Sequence, residues 1–339
     1  MAYRKSKGKL ARTKKIEPAV QTFTFRIPAS SAGIENKFID LSQSASLLNR
    51  RFYRQGINWA VSSIKIASQD FAGNIVVAKL PETWVMSNSW EKSFRSWQRM
   101  NNEALAENES VRPKFLDFKI YANHEHHSLG FGANLLPESF GGTAVGGEWE
   151  PSTVHIPSAS PGYLAADREI IAVGASYPGA GASGLNAVSM IEGYASSRAL
   201  PGITEPNVPD DMSDADGVTP ENWMTALFND GTQQESDVLE SMRLDNNKAP
   251  YPYENDGVSI DTMYPGGANQ LTGLQVHDID FQTSTTIGGI TRIKGGMFPC
   301  GLVALQFAAN EGVVPEIIVQ IDMVPGHHRG YLCEPMTEM

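Results

Sequence analysis

Positive charge is concentrated in the first fifteen residues, where seven lysines and arginines occur without an acidic residue. These cations are Arg4, Lys5, Lys7, Lys9, Arg12, Lys14 and Lys15. Lysine and arginine neutralise phosphates and release counterions, which gives sequence-independent binding that weakens steeply with salt. The pattern predicts a polyanion-binding arm at residues 1–17, with a log–log salt slope of roughly −5 on single strands. A nuclear-import signal is an alternative interpretation of the same run.

The remainder of the chain is acidic, which sets the arm apart. The whole chain has 27 basic and 38 acidic residues, so residues 16–339 hold 20 basic against 38 acidic side chains and a net charge of −18. An acidic belt at residues 201–262 has fourteen Asp or Glu, opposed only by Arg243 and Lys248. This polarity predicts a polyanionic partner at the N-terminus and not elsewhere.

A second basic group consists of Arg50, Arg51 and Arg54. It lies at the end of Ile39–Tyr53, a segment with helical periodicity. Residues four apart share one face of a helix, so Arg50 and Arg54 are predicted to point the same way. The group would either extend the nucleic-acid-binding surface or form salt bridges between subunits with the acidic belt.

Two segments resemble metal sites but lack the required spacing. His124 and His126 would share one face of a strand, yet zinc needs three or four ligands. The loop Asp210–Gly217 is rich in carboxylates, but alignment of its glycine with an EF-hand places Met212 and Trp223 at ligand positions. We therefore predict no metal site and no cofactor, and the alternative that the sequence leaves open is a weaker carboxylate-rich calcium site in this loop. The histidines are expected to form hydrogen bonds at the surface or a pH-sensitive contact between subunits.

The sequence offers no residues to support enzymatic catalysis. It lacks a nucleophile elbow, a phosphate-binding glycine loop and a dinucleotide fingerprint. Residues 327–329 (His-His-Arg) would be catalytic only with a nucleophile that the sequence does not identify. Cys300 and Cys333 are too few for a disulfide framework. No apolar stretch reaches the length of a membrane span, so no membrane partner is expected.

Alternating apolar and polar residues predict eight strands joined by loops rich in glycine and proline. The strands lie near 19–27, 57–67, 74–79, 114–122, 168–173, 274–281, 299–307 and 315–323. Strands and helical segments do not alternate strictly, which argues against a parallel doubly wound sheet. The predicted fold class is all-β, a single eight-stranded antiparallel jelly-roll sandwich with long loops and several short inserted helices. It would occupy residues 18–339, with insertions at about 82–108 and 175–270.

Four segments resemble the capsid proteins of small circular single-stranded DNA viruses that encode a replication initiator. They are residues 39–61, 80–98, 118–137 and 324–336. A basic arm followed by a loop-rich β domain is also the layout of such proteins. The resemblance implies identical subunits that assemble into an icosahedral shell of sixty copies or a multiple, around a single-stranded DNA genome. It also implies a virion location, with the host nucleus as a place of assembly, and leaves the host receptor unspecified.

The arm departs from circovirus-like arms, which are longer and richer in arginine. Sixty arms of charge +7 supply about 420 positive charges, too few for a genome of about one thousand phosphates. The alternative function is a β-sandwich carbohydrate-binding or attachment module that forms no shell. In that interpretation Tyr251, Tyr253 and Tyr264 are the residues to test for glycan contact.

Overall fold

The computed structural model describes residues 18–106, 110, 117–156, 165–198, 223–226, 266–267, 272–283 and 289–339. The strands are β1 (Thr22–Ile27), β2 (Ile34–Asp40), β3 (Ile57–Ala67), β4 (Gly73–Lys79), β5 (Glu138–Ser139), β6 (Gly142–Thr143), β7 (Thr153–Ile156), β8 (Ala166–Ile171), β9 (Ala187–Ser189), β10 (Gln275–Gln282), β11 (Ile290–Phe298), β12 (Leu302–Ala309), β13 (Ile317–Met323), β14 (Pro325–Gly326), β15 (Gly330–Tyr331) and β16 (Cys333–Pro335). The helices are α1 (Leu41–Asn49), α2 (Trp84–Ala106), α3 (His124–Leu129), α4 (Met190–Arg198) and α5 (Trp223–Ala226). Over these ranges, no helix combines the length and the hydropathy that crossing a membrane requires.

Strands are the most abundant regular structure in the described chain, and two antiparallel sheets form its centre. Sheet I has the strand order β1-β13-β3-β11, and β16 also pairs with the start of β3. Sheet II has the order β10-β4-β12-β2. Buried side chains from both sheets form one hydrophobic core, as in a β-sandwich. The predicted antiparallel β architecture is therefore confirmed.

Alternation along the strands builds this core. Phe23, Phe25 and Ile27 of β1 are fully buried, as the sequence pattern predicts, whereas the residues between them face outward. Ile75 and Val77 of β4 enter the same core from sheet II. Each such apolar side chain contributes roughly 1.5–3 kcal/mol when it leaves water.

Residues 80–274 connect β4 to β10 and contain a second core. Trp90 and Trp97 of α2 are buried there, together with apolar side chains of α4 and of a small sheet. In that sheet β8 pairs antiparallel with β7 and parallel with β9. Phe38 and Leu302 of sheet II belong to the same cluster. The connection is thus packed against the end of the sandwich at which β2 ends and β12 begins.

Two strand predictions for the sandwich are wrong. The predicted strand at 168–173 forms as β8, but it lies in the small sheet of the connection. In the predicted strand at 114–122, residues 117–120 join no sheet, and Tyr121 makes only an isolated parallel bridge to Ile171. Both segments are apolar because the second core buries them. Local pattern cannot distinguish that core from the one between the sheets.

The sandwich instead uses two strands that the sequence pattern did not predict. β2 is largely polar in its first half, and only its last three residues are buried. β11 contains Gly295 and Gly296, which normally indicate a turn. Here Gly295 permits close packing, since a Cβ atom at this position would lie 2.1 Å from the carbonyl oxygen of Val61.

Candidate nucleic-acid interface

Residues 50–54 form a loop and not a helical turn. Helix α1 ends at Asn49 because Arg50 adopts a left-handed conformation, with φ 54° and ψ 37°. A left-handed residue directly after the last turn terminates a helix. The prediction that Arg50 and Arg54 share a helix face is therefore wrong. Both side chains are nevertheless exposed, and so is Arg51.

Two buried side chains hold this loop against the fold. The backbone N–H of Tyr53 donates to Ser46 Oγ at 3.0 Å, and its hydroxyl donates to the carbonyl oxygen of Arg329 at 3.0 Å. Gln55 is fully buried and exchanges two hydrogen bonds with the backbone of Ile120, at 3.1 and 2.7 Å. These inward contacts leave the arginine side chains on the surface.

Arg329 reaches the same loop from the other end of the chain. It lies in the turn between β14 and β15 with a φ of 51°, and its Nη1 donates to the carbonyl oxygen of Phe52. Arg329 is exposed. Nothing in the local sequence relates two segments 277 positions apart. We name Arg50, Arg51, Arg54 and Arg329 the arginine patch.

The arm joins the fold beside this patch. The backbone N–H of Val20 donates to Asn49 Oδ1 at 2.9 Å, and the carbonyl oxygen of Val20 accepts from the Tyr331 hydroxyl at 2.6 Å. Asn49 Nδ2 donates to the same hydroxyl at 2.7 Å. Asn49 directly precedes Arg50. Residues 1–17, with the seven predicted arm cations, lie outside the described residues, but the chain that follows them is tied to the start of the patch.

The acidic side chain whose pKa responds to the charge of Arg54 is Asp117, and it is largely buried. Burial raises the pKa of Asp117 to about 6, and the positive charges of Lys119 and Arg54 oppose that rise. Among the residues that the structure describes, no carboxylate lies within 4.0 Å of the charged groups of Arg50, Arg54 or Arg329. Arg50, Arg54 and Arg329 therefore present positive charge that no described carboxylate pairs with directly.

A cleft of about 300 Å³ lies next to Arg54. Trp90, Phe94 and Phe118 supply apolar walls, and Cys333 lines it as well. Burial raises the pKa of the Cys333 thiol to about 12. At neutral pH the thiol is protonated, so it is not an activated nucleophile.

The histidine cluster forms a short helix and not a strand, so the predicted shared face of His124 and His126 is wrong. His124 is exposed, whereas His126 is fully buried and stacks on Phe38 with ring centroids 4.5 Å apart. Its Nδ1 accepts from the Ala122 N–H at 3.1 Å, and its Nε2 lies 2.8 Å from Asn134 Oδ1. Across the described ranges no three metal-ligating side chains come together. The loop Asp210–Gly217 and residues Tyr251, Tyr253 and Tyr264 lie outside those ranges.

Buried His126 is expected to make stability depend on pH. Burial lowers its pKa from 6.5 to about 4, so between these values the unfolded chain binds a proton that the folded chain does not. This contribution to the free energy of unfolding is present above pH 6.5 and falls by about 3 kcal/mol as the pH drops to 4. Urea unfolding at pH 7 and pH 4.5 would measure it. His126→Gln should lose this pH dependence, while the opposite contribution of Asp117 persists in both proteins and cancels. An unchanged dependence in the variant would contradict the assignment.

Comparison with known proteins does not assign the chain to a family. No protein family matches the chain, and neither the curated proteins nor the solved structures contain a match. The resemblance to capsid proteins therefore stays a prediction from the sequence.

Proposed function

We propose that this chain is the coat subunit of a small icosahedral particle that packages a single-stranded nucleic acid, which the sequence resemblance makes DNA. The observation that carries the proposal is the position of Val20, three residues after the arm, where its backbone is bonded to Asn49 at the start of the arginine patch. The chain that follows the seven arm cations therefore enters the fold where the four patch arginines lie, while the remaining charge of the molecule is strongly acidic. Such a polarity suits a subunit that holds a polyanion on one side and faces solvent on the other.

The pairing of the strands in sheets I and II supports a jelly roll. Apart from β16, and in chain order, the first of these strands pairs with the eighth, the second with the seventh, the third with the sixth and the fourth with the fifth. Ladders between β13 and β3 and between β12 and β4 complete the two sheets. This is the order of a long ribbon folded over on itself. Jelly rolls occur in capsid and lectin domains alike, so the charge distribution is what favours the capsid class.

Exposed apolar side chains on sheet II supply a surface for self-association. Ile279 and Phe281 of the edge strand β10 are 48% and 69% exposed, and Ile34 at the opposite edge is 58% exposed. Phe281 and Ile34 lie in one row across the sheet, with Asn74 and Ala308 between them. An edge strand with exposed apolar side chains favours association with another chain. In the proposed function that chain is another copy of this protein.

The test is electron microscopy of the purified full chain, with the absorbance ratio of any particles at 260 and 280 nm. We expect closed shells that contain nucleic acid. Ile279→Ser with Phe281→Ser should abolish the shells because it removes the apolar contact, while the subunit stays folded. The matched control is Phe140→Ser with Val145→Ser, two fully or largely exposed apolar residues away from this face, which should still assemble.

Two outcomes would contradict the proposal. The first is a protein that stays monomeric at every salt concentration and pH. The second is a shell that forms without nucleic acid even when the arm is intact. A monomer that binds glycans would favour the carbohydrate-binding alternative.

A further inference from the structure

The outer face of sheet I carries cations that neither the arm nor the arginine patch includes. Residues in register form three rows across β1, β13, β3 and β11. The rows are Thr22, Asp322, Ser63 and Lys294; then Thr24, Gln320, Lys65 and Arg292; and then Arg26, Ile318, Ala67 and Ile290. These residues point away from the core because their neighbours in each strand are buried. The face is therefore largely polar, and four of its twelve side chains are basic.

Three of these cations lie together at one edge. Lys65 of β3 is directly opposite Arg292 of β11, and Lys294 follows two positions along the same strand. Directly opposed residues are roughly 5 Å apart, and residues two apart on one strand are separated by roughly 7 Å. Arg292 and Lys294 are exposed, and Lys65 is half-buried. We name these three residues the sheet cations.

The one carboxylate on this face is engaged elsewhere. Asp322 Oδ1 accepts from the Thr22 hydroxyl at 2.6 Å, and its Oδ2 accepts from the Ser63 hydroxyl at 3.0 Å. Within the described part of the chain, the sheet cations have no carboxylate within 4.0 Å. Arg26, the fourth cation of the face, instead lies 3.7 Å from Glu316.

Like charges that oppose each other across two strands destabilise a sheet. The arrangement of Lys65 and Arg292 is therefore unfavourable unless an anion lies between them. Two neighbouring side chains can donate to phosphate oxygens, namely the Thr24 hydroxyl and the second N–H of Gln320, whose first N–H is directed to Thr24 Oγ1 at 3.5 Å. No aromatic side chain lies in the three rows to stack on a base, so the face is suited to a phosphate backbone and reads no sequence.

We propose that the sheet cations bind the phosphodiester backbone of the nucleic acid, as a second contact in addition to the arm and the patch. The inference rests on the proposed function in one respect, which is that the polyanion is a nucleic acid. It also addresses a shortage of charge, because the arms alone cannot neutralise a genome. Nucleic acid is favoured over an acidic peptide because the proposed function already requires a polyanion whose charge the arms alone cannot neutralise.

The test measures binding of a fluorescein-labelled oligothymidylate to the full chain by anisotropy across a salt series. Lys65→Gln, Arg292→Gln and Lys294→Gln together should reduce the magnitude of the log–log salt slope by about 2, at about 0.7 per lost contact. At 0.1 M salt the affinity should fall by about 100-fold. The matched control removes three exposed or ion-paired cations elsewhere, by Lys37→Gln, Arg95→Gln and Arg99→Gln. It should leave the slope unchanged.

The outcomes separate this inference from the proposed function. If the unmodified chain binds and the sheet variant behaves as the control does, the sheet contact is wrong while the proposed function stands. If the unmodified chain does not bind the oligonucleotide, both fail. Tighter binding by the sheet variant would mean that an acidic segment of the protein occupies this face, which overturns the inference.

Lys65→Gln alone should keep the melting temperature or raise it, because it removes the like-charge pair. This single variant therefore gives a folded protein, in which a smaller change of the salt slope, about 0.7, is expected.

Discussion

Replacement of Asp40 by asparagine is expected to lower the free energy of unfolding by about 3 kcal/mol, although the two side chains have nearly the same shape. The Asp40 side chain is fully buried between β2 and α1. Its Oδ1 accepts from the backbone N–H groups of Ser42 and Gln43, at 2.8 and 3.2 Å. Its Oδ2 accepts from Gln55 Nε2 and Trp149 Nε1, at 3.1 and 3.0 Å.

Every partner of this carboxyl group is a hydrogen-bond donor, so asparagine, with only one acceptor oxygen, cannot replace all four bonds. In either orientation its amide nitrogen would face two N–H donors and leave them unpaired inside the protein. Hydrogen bonds to a charged group contribute about 1.5–3 kcal/mol each, and an unpaired buried donor adds its own cost. Burial raises the pKa of Asp40, and these four donors oppose the rise. The loss of Gln55 as a partner also disturbs the loop that carries the arginine patch.

Urea unfolding followed by circular dichroism would measure the effect. The control is Asp70→Asn at an exposed position, where a change within about 0.5 kcal/mol is expected. A loss below about 1 kcal/mol in the Asp40 variant would show that the four bonds do not act together.

The sandwich was predictable where burial is periodic along one strand. Phe23, Phe25 and Ile27 indicated both a strand and its inward face, and β1 has that orientation. The same pattern could not assign β8 to the small sheet, because an apolar run indicates burial and not the core in which the residues are buried. Gly295 concealed the strand β11 in the sequence. Its close approach to β3 requires glycine, which in other contexts indicates a turn.

The candidate interface was only partly predictable, for reasons of distance along the chain. Arg50, Arg51 and Arg54 are close in sequence and were recognisable as a basic group. Arg329 joins them only because β13 and β16 pair in succession with the same side of β3, so that the turn between them lies at the end of sheet I where β3 begins. The sheet cations are likewise a product of register, because Lys65 and Arg292 are separated by more than half of the chain.

Neutralisation of the arm is expected to have the largest effect on binding. Substitution of all seven arm cations by glutamine should reduce the magnitude of the log–log salt slope by about 5, at about 0.7 per phosphate contact. At 0.1 M salt this corresponds to a loss of affinity of roughly 10⁵-fold. The β domain should melt at an unchanged temperature, because the described core consists of residues from Ala19 onward. Anisotropy titrations with the oligothymidylate and the absorbance ratio of assembled particles would measure the two consequences.

A shuffled arm provides the control that separates charge from sequence. Permutation of residues 4–15 keeps all seven cations, so counterion release predicts the same slope and the same nucleic-acid content. Arg50→Gln, Arg51→Gln and Arg54→Gln together should reduce the magnitude of the log–log salt slope by about 2. These substitutions remove three phosphate contacts of the patch and leave the arm itself intact. If the neutralised arm binds as tightly as the original, the arm is not the principal nucleic-acid contact. If the shuffled arm loses binding, its order matters, and the basic run acts as a recognised signal.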